Sequence, residues 1–269
     1  MRLCFTLALA LLAAAPLPSL TADQIARQIQ DRDTGRDSRA ELRMKLFDRR
    51  DRGRERALTM LTLRGREAPG APKTAPDGDR LLIRFTYPND IRGTSFLVWK
   101  HPHGEDERFL YLPSLGRVRR IAGTEAQESF VGSDFSYEDI GGRELEEFSY
   151  ALLDENAAWT SSDGTSRPAY RLESKRKDRA AEFPRVVSLV LKDSFLVIQA
   201  DVYNRRDEKQ KVYSVRRLQQ AQGIWTVYES SMTNALDRTR TELMVEKIEY
   251  NTGLKEDAFS RRVLEGAAR

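Results

Sequence analysis

Apolar and polar residues alternate with a period of two along most of this chain. Leu42, Met44 and Leu46 are separated by charged residues, which predicts a strand with one buried face. A strand near Leu58 to Leu63 returns beside it, and similar segments follow at 81–87, 95–101, 108–112, 116–121, 147–153, 169–174, 185–192, 195–203, 211–219, 223–233 and 240–250. About eleven or twelve strands linked by hairpin-type turns predict one large antiparallel sheet, which curls toward a barrel or half-barrel.

Helical spacing is confined to short stretches of the sequence. Thr21-Ala-Asp-Gln24 resembles a capping box, and Ile25, Ala26 and Ile29 follow at helical intervals, which predicts a helix from about Ala22 to Asp33. Residues 254–264 have weak helical spacing and are expected to form a basic tail. Little helix is therefore left to cover the inner face of the sheet, and the fold class is mainly β, or α+β.

A curled sheet with a partly uncovered apolar face is expected to bind hydrophobic ligands. The alternative is that side chains simply fill the interior. Both parities of the second and fourth strands are apolar, so the choice of inward residues is least constrained there. The residues expected to line the cavity are Leu42, Met44, Leu58, Met60, Ile83, Phe85, Phe96, Val98, Leu189 and Trp225.

The segment from Phe109 to Ile140 begins as an aromatic strand and becomes basic, then acidic, aromatic and glycine-punctuated. Its later half, from Ala122, is the candidate for a lid over the cavity or a surface that docks a partner. If Ser133 caps a short helix, Asp134 and Glu138 share one helical face. Acidic residues in the first turn of a helix are favoured by the helix dipole, so these two carboxylates have a structural explanation as well as a possible role in acid–base chemistry. The candidate lid or docking residues are Phe130, Asp134, Phe135, Tyr137, Glu138 and Asp139.

Charge and candidate chemistry argue against several function classes. The chain has 45 basic and 41 acidic side chains. Its net charge is therefore small and gives no support for nucleic-acid binding. Leu112-Pro-Ser-Leu-Gly116 lacks the glycine that precedes the serine of a nucleophile elbow. The two histidines, His101 and His103, have no cysteine or clear third ligand beside them. We therefore expect no catalytic residues, no metal site, no cofactor and no enzyme activity.

The N-terminus has the pattern of a secretory signal peptide. Arg2 precedes a short apolar run from Leu3 to Ala15, and prolines follow it. We expect a signal peptide of residues 1–22, which contains Cys4, and a single mature domain of residues 23–269. The mature chain is then expected to be exported.

Several motifs occur in the order found in the outer-membrane lipoprotein-sorting protein family. The chain resembles the branch that includes a treponemal lipoprotein and proteins encoded beside RND-type exporters. The motifs are Phe109-Leu-Tyr-Leu-Pro113, Arg117-Val-Arg-Arg120, Gly132-Ser-Asp-Phe-Ser-Tyr-Glu-Asp-Ile140, Gly223-Ile-Trp225, Met232-Thr-Asn234, Thr241-Glu-Leu243, Asn251-Thr-Gly-Leu254 and Phe259.

This resemblance implies an unclosed, LolA-like β-barrel whose apolar face is covered by helices and a loop. It also implies a periplasmic carrier for acyl chains of lipoproteins, lipids or other hydrophobic cargo. Its partners would be an inner-membrane RND-type exporter and an outer-membrane acceptor. The alternative function is an accessory subunit of such an exporter, with Phe130, Phe135 and Tyr137 facing the partner. No motif identifies a basic residue that would hold the lid.

Overall fold

The computed structural model describes residues 19–66, 75–102, 104–161 and 164–265. The first 18 residues of the expected signal peptide, with Cys4, and also His103 lie outside these ranges.

Thirteen strands form a single antiparallel sheet. They are β1 (Asp37–Phe47), β2 (Gly53–Leu63), β3 (Arg80–Tyr87), β4 (Ser95–Trp99), β5 (Glu107–Leu112), β6 (Arg117–Ile121), β7 (Phe148–Thr160), β8 (Ser166–Arg176), β9 (Arg185–Leu191), β10 (Val197–Tyr203), β11 (Lys209–Ala221), β12 (Ile224–Asn234) and β13 (Thr239–Tyr250).

The strands form two meanders that meet in the middle of the sheet. Their order is β6-β5-β4-β3-β2-β1-β13-β12-β11-β10-β9-β8-β7, so β1 pairs with both β2 and β13. The sheet is not closed, because β6 and β7 lie at opposite edges. The prediction of one large, unclosed antiparallel sheet is confirmed, and each predicted segment is a strand. The thirteen strands match the thirteen segments named above one for one, although only about eleven or twelve of these were expected to form the sheet.

The N-terminal helix, α1 (Ala22–Asp31), begins as the sequence predicted. The N–H of Gln24 donates to Oγ1 of Thr21 at 3.2 Å, and the N–H of Thr21 donates to Oε1 of Gln24 at 2.8 Å. This capping box satisfies two N–H groups that the first turn leaves free. Ile25 and Ala26 are buried against strands β8 and β9. We call the face of the sheet on which α1 lies the inner face.

The C-terminal segment is a packed element and not the basic tail expected from the sequence. A 3₁₀ turn (Glu256–Phe259) and the short helix α3 (Arg261–Glu265) lie against the outer face of the sheet. Phe259 and Leu264 are buried there against Leu97 and Phe109. Nε1 of Trp99 also donates to the carbonyl of Phe259 at 2.7 Å. Both faces of strand β4 are therefore covered, which explains why residues pointing to either face are apolar.

None of the helices within the described ranges is long and apolar enough to cross a membrane.

Candidate functional site

Eight of the ten predicted lining residues form one apolar cluster on the inner face. The strand register explains why, since Met60 lies opposite Ile83 and Ile83 lies opposite Phe96. Side chains at opposed positions of neighbouring strands share one face and contact each other. The eight are Leu42, Met44, Leu58, Met60, Ile83, Phe85, Phe96 and Val98.

Leu189 and Trp225 belong to a different cluster and are corrections to the predicted lining. Val190 packs with α1, so the side chain of the preceding Leu189 points to the other face. The hydroxyl of Thr226 lies 2.8 Å from that of Tyr250 on the inner face, which directs Trp225 outward. Because most residues of strand β9 are apolar, periodicity could not predict which of them point to the inner face.

A cover segment, residues 122–147, connects the two edge strands and lies on the inner face of β3–β5. It contains two 3₁₀ turns, the helix α2 (Tyr137–Gly141) and a third 3₁₀ turn. Phe130 is fully buried, with ring centroids 5.8 Å from Phe85 and 5.5 Å from Phe96. The Tyr137 ring lies 5.3 Å from that of Phe96. These aromatic contacts fill the part of the inner face beneath the cover segment.

Asp134 fixes the middle of the cover segment to the opposite half of the sheet. Its carboxylate accepts hydrogen bonds from the hydroxyls of Thr239 and Thr241, the second at 2.7 Å. Nζ of Lys211 donates to the Asp134 carbonyl at 3.0 Å. The neighbouring Phe135 ring is 6.4 Å from that of Tyr213. The cover segment therefore bridges both halves of the sheet.

Basic side chains from the sheet supply further contacts that no sequence motif identified. Nη1 of Arg56 donates to the carbonyl of Val131 at 2.6 Å. Val131 has a φ of 49°, a conformation that costs energy for a β-branched residue. Arg176 forms an ion pair with Glu138 at 2.5 Å, and both side chains are largely buried. Charge-assisted hydrogen bonds of this kind are stronger than neutral ones, so these arginines stabilise the position of the cover segment.

The acidic residues of α2 have structural partners. Ser136, and not Ser133, caps the helix: Ser136 and Asp139 exchange hydrogen bonds of 2.9 and 3.0 Å between side chain and backbone. Asp134 therefore precedes the helix and shares no helical face with Glu138. Burial would raise the pKa of Asp139, but Arg143 at 2.8 Å and the bonds to Ser136 outweigh it and lower the pKa. The three carboxylates hold the cover segment in place.

A strip of partly exposed apolar side chains crosses the inner face beside the cover segment. The strip, defined by Met60, Leu243, Val245 and Ile248, packs against the buried cluster without being fully covered. Val245 and Ile248 lie on one face although they are three residues apart, because a bulge interrupts the pairing of β1 with β13. The period of two does not identify the three β13 residues, because the bulge interrupts it.

Two cavities open near the rims of the sheet. The larger, about 1040 Å³, lies at the C-terminal end of α1 and is lined in part by Arg32, Arg64 and Ile224. The smaller, about 530 Å³, lies beside Asp134 and Lys211 of the cover contact.

Comparison with known proteins places the chain in a structural group. A DUF1329 family protein from Desulfovibrio piger is 28% identical, with a TM-score of 0.76 over 90% of this chain and 97% of that one. A putative outer membrane lipoprotein-sorting protein domain from Vibrio parahaemolyticus is 29% identical, with a TM-score of 0.77 over 91% and 98%. A LolA superfamily protein from Nitrosomonas europaea shares the fold at 16% identity, with a TM-score of 0.65 over 91% and 100%.

No curated protein sequence matches this chain significantly. A family model described as an uncharacterized protein matches residues 77–266, which is most of the chain. The resemblance to lipoprotein-sorting proteins is confirmed by the structural neighbours. The chain therefore belongs to the family that this model describes, and its structural relatives include a DUF1329 family protein and a putative outer membrane lipoprotein-sorting protein domain.

Proposed function

We propose that this protein is a non-enzymatic periplasmic carrier that binds acyl chains, or other apolar cargo, on the inner face of its sheet. The partly exposed strip of Met60, Leu243, Val245 and Ile248 carries the proposal. Exposed apolar groups in a concave, partly covered position are characteristic of ligand sites. The similarity to a lipoprotein-sorting domain supports the same interpretation.

Cargo and cover segment compete for the same apolar surface. Phe130 and Tyr137 occupy the inner face over β3–β5, whereas the strip beside them is only partly covered. A chain lying first on the strip gains about 0.8 kcal/mol for each buried methylene. A long chain could then extend under the cover segment by replacing its aromatic contacts. Reversible binding, which a carrier needs for release, follows from this competition.

The donor and acceptor that we propose follow from the family resemblance. They are an RND-type exporter in the inner membrane and an acceptor in the outer membrane. In the alternative function, Phe130, Phe135 and Tyr137 would contact such an exporter directly. All three rings are buried within the chain, so a partner would reach them only after the cover segment moved. Their burial favours the carrier over the accessory subunit.

The test compares two neighbouring positions of β13 that point to opposite faces. Val245 belongs to the strip, and Met244 pairs with Arg43 and Glu229 on the outer face. We expect the mature protein to co-purify with lipid and to bind a fluorescent acyl probe. Val245→Asn should weaken probe binding strongly, whereas Met244→Asn should leave it unchanged. A lipid-free protein that binds no acyl probe, or equal effects of both substitutions, would contradict the proposal.

A further inference from the structure

The side chain of Arg32 occupies an unusual position at the rim of the inner face. Arg32 follows the last residue of α1 and lines the cavity of about 1040 Å³. One of its guanidinium nitrogens donates to the carbonyl of Ile29 at 3.0 Å. Among the described residues, no carboxylate lies within ion-pair distance of it. A guanidinium has five N–H donors, so most of its donor capacity is left for another group.

Arg32 is half-buried at the cavity, and its surroundings are positively charged. Burial lowers the pKa of this arginine, and the charge of Arg64 lowers it further. The phenol groups of Tyr213 and Tyr250 are close enough to act in the opposite direction. A cation held in such surroundings is stabilised by a nearby anion.

The carboxylates around this cavity are engaged elsewhere or point to solvent. Asp37 is buried and accepts hydrogen bonds from the backbone and hydroxyl of Thr252, each at 2.7 Å. Glu256 pairs with Arg80 at 3.0 Å, and Asp33 accepts from the N–H of Gly35 at 2.8 Å. Asp31 is exposed. None of these groups neutralises Arg32.

The inner face changes from polar to apolar along the strands that lead away from this rim. Ser38 and Thr62 lie opposite each other near the rim, with their hydroxyl oxygens 2.7 Å apart. From Ala40 to Leu46 the inward residues of β1 are apolar, a distance of about 20 Å at the usual rise of a strand. The inner face therefore has hydroxyl groups and a cation at one end and an apolar surface beyond them. These two parts match the polar and apolar ends of an amphiphile.

We infer that Arg32 binds the anionic head group of a single-chain amphiphile whose acyl chain lies along the inner face. The head group is a carboxylate or a phosphate monoester, because each offers oxygens that a guanidinium can bind in pairs. This inference rests on the proposed carrier function and names its class of cargo. The head group then binds in the cavity at the C-terminal end of α1.

The experiment measures the affinity of the mature protein for palmitate, hexadecyl phosphate and the uncharged hexadecanol at low salt. We expect the two anions to bind about 10- to 100-fold more tightly than the alcohol. Arg32→Gln should remove this preference and leave hexadecanol binding unchanged, and Arg32→Lys should retain part of it. Arg27→Gln is the matched control, since Arg27 is an exposed arginine on the same helix.

The outcomes separate this inference from the carrier proposal. If all three ligands bind equally, or if Arg32→Gln keeps the preference for anions, the head-group site is refuted and the carrier stands. If neither anions nor hexadecanol bind, both fail. Inorganic phosphate is a further arm of the experiment. Saturable binding of phosphate as tight as that of hexadecyl phosphate would show a site for a free anion and would overturn the amphiphile. Thermal unfolding of each variant confirms that the fold is intact.

Discussion

Replacing Phe130 with alanine tests whether the cover segment opens as a unit. Phe130 is fully buried and contacts Phe85, Phe96 and Tyr137. Removing a buried phenylalanine side chain typically costs about 3–5 kcal/mol. If the cover segment opens while the sheet stays folded, the opening equilibrium of the cover segment shifts by this full cost. The open state then becomes roughly 150- to 5000-fold more populated.

Hydrogen exchange of backbone amides measures this change directly. The N–H of Phe130 donates to the carbonyl of Phe135 at 2.7 Å, and the N–H of Tyr137 donates to that of Glu128 at 3.1 Å. Both amides should exchange faster in Phe130→Ala by the factor given above. In the unsubstituted protein they should already exchange through an opening of smaller free energy and weaker denaturant dependence than the amides of β1 and β13, which require unfolding of the sheet. Local opening of this kind is the usual behaviour of segments with few contacts to the remaining core.

The matched control is Phe259→Ala, which removes an equally buried ring on the outer face. It should accelerate exchange at Ser260 and Val263 and leave the cover segment protected. If the cover-segment amides instead share the opening free energy and the denaturant dependence of the amides of β1 and β13, the cover segment is part of the cooperative core. The competition between cargo and cover segment would then be refuted.

Three further predictions concern polar contacts of the cover segment and of α1. Arg56→Leu should raise the opening of the cover segment by about 10- to 100-fold, because the bond to the Val131 carbonyl is lost, and hydrogen exchange checks this. The folded state lowers the pKa of Asp139, so its contribution to stability is present above the ordinary value of 3.8 and is lost as the pH falls through the lowered pKa. Asp139→Asn should therefore flatten the pH dependence of unfolding below pH 3.8, as followed by urea titration at several pH values; an unchanged slope would contradict the assignment. Thr21→Ala should reduce the free energy of unfolding by about 1 kcal/mol through loss of the helix cap, and a change below a few tenths would show that α1 frays without cost.

The sequence predicted the sheet well because alternation with a period of two is a local signal. It also located α1, since the capping box needs only residues Thr21 to Gln24. The predicted lining was wrong where both parities are apolar, as around Leu189, and incomplete where a bulge shifts the parity, as between Val245 and Ile248. Neither feature can be seen in one strand alone, because each depends on its neighbour.

The contacts of the cover segment are a harder problem for sequence analysis. Arg56 and Val131 are 75 residues apart. Arg54 lies two positions before Arg56 on the same face of β2, so periodicity does not single out Arg56. The C-terminal segment shows the same limit. Its apolar residues have weak periodicity, yet Phe259 and Leu264 are buried because strand β4 presents Leu97 to the outer face.

The central pairing of β1 with β13 has a consequence for folding. The first strand to emerge pairs with the last, and the carboxylate of Asp37 receives a hydrogen bond from Thr252, 215 residues later. Contacts between residues so far apart carry a large loop-closure entropy and slow the folding of β proteins. Hairpins within each meander can form early, but the middle of the sheet forms only when the whole chain is present. Until then, the edge of β1 that will pair with β13 is exposed, and a partly made chain needs protection from aggregation.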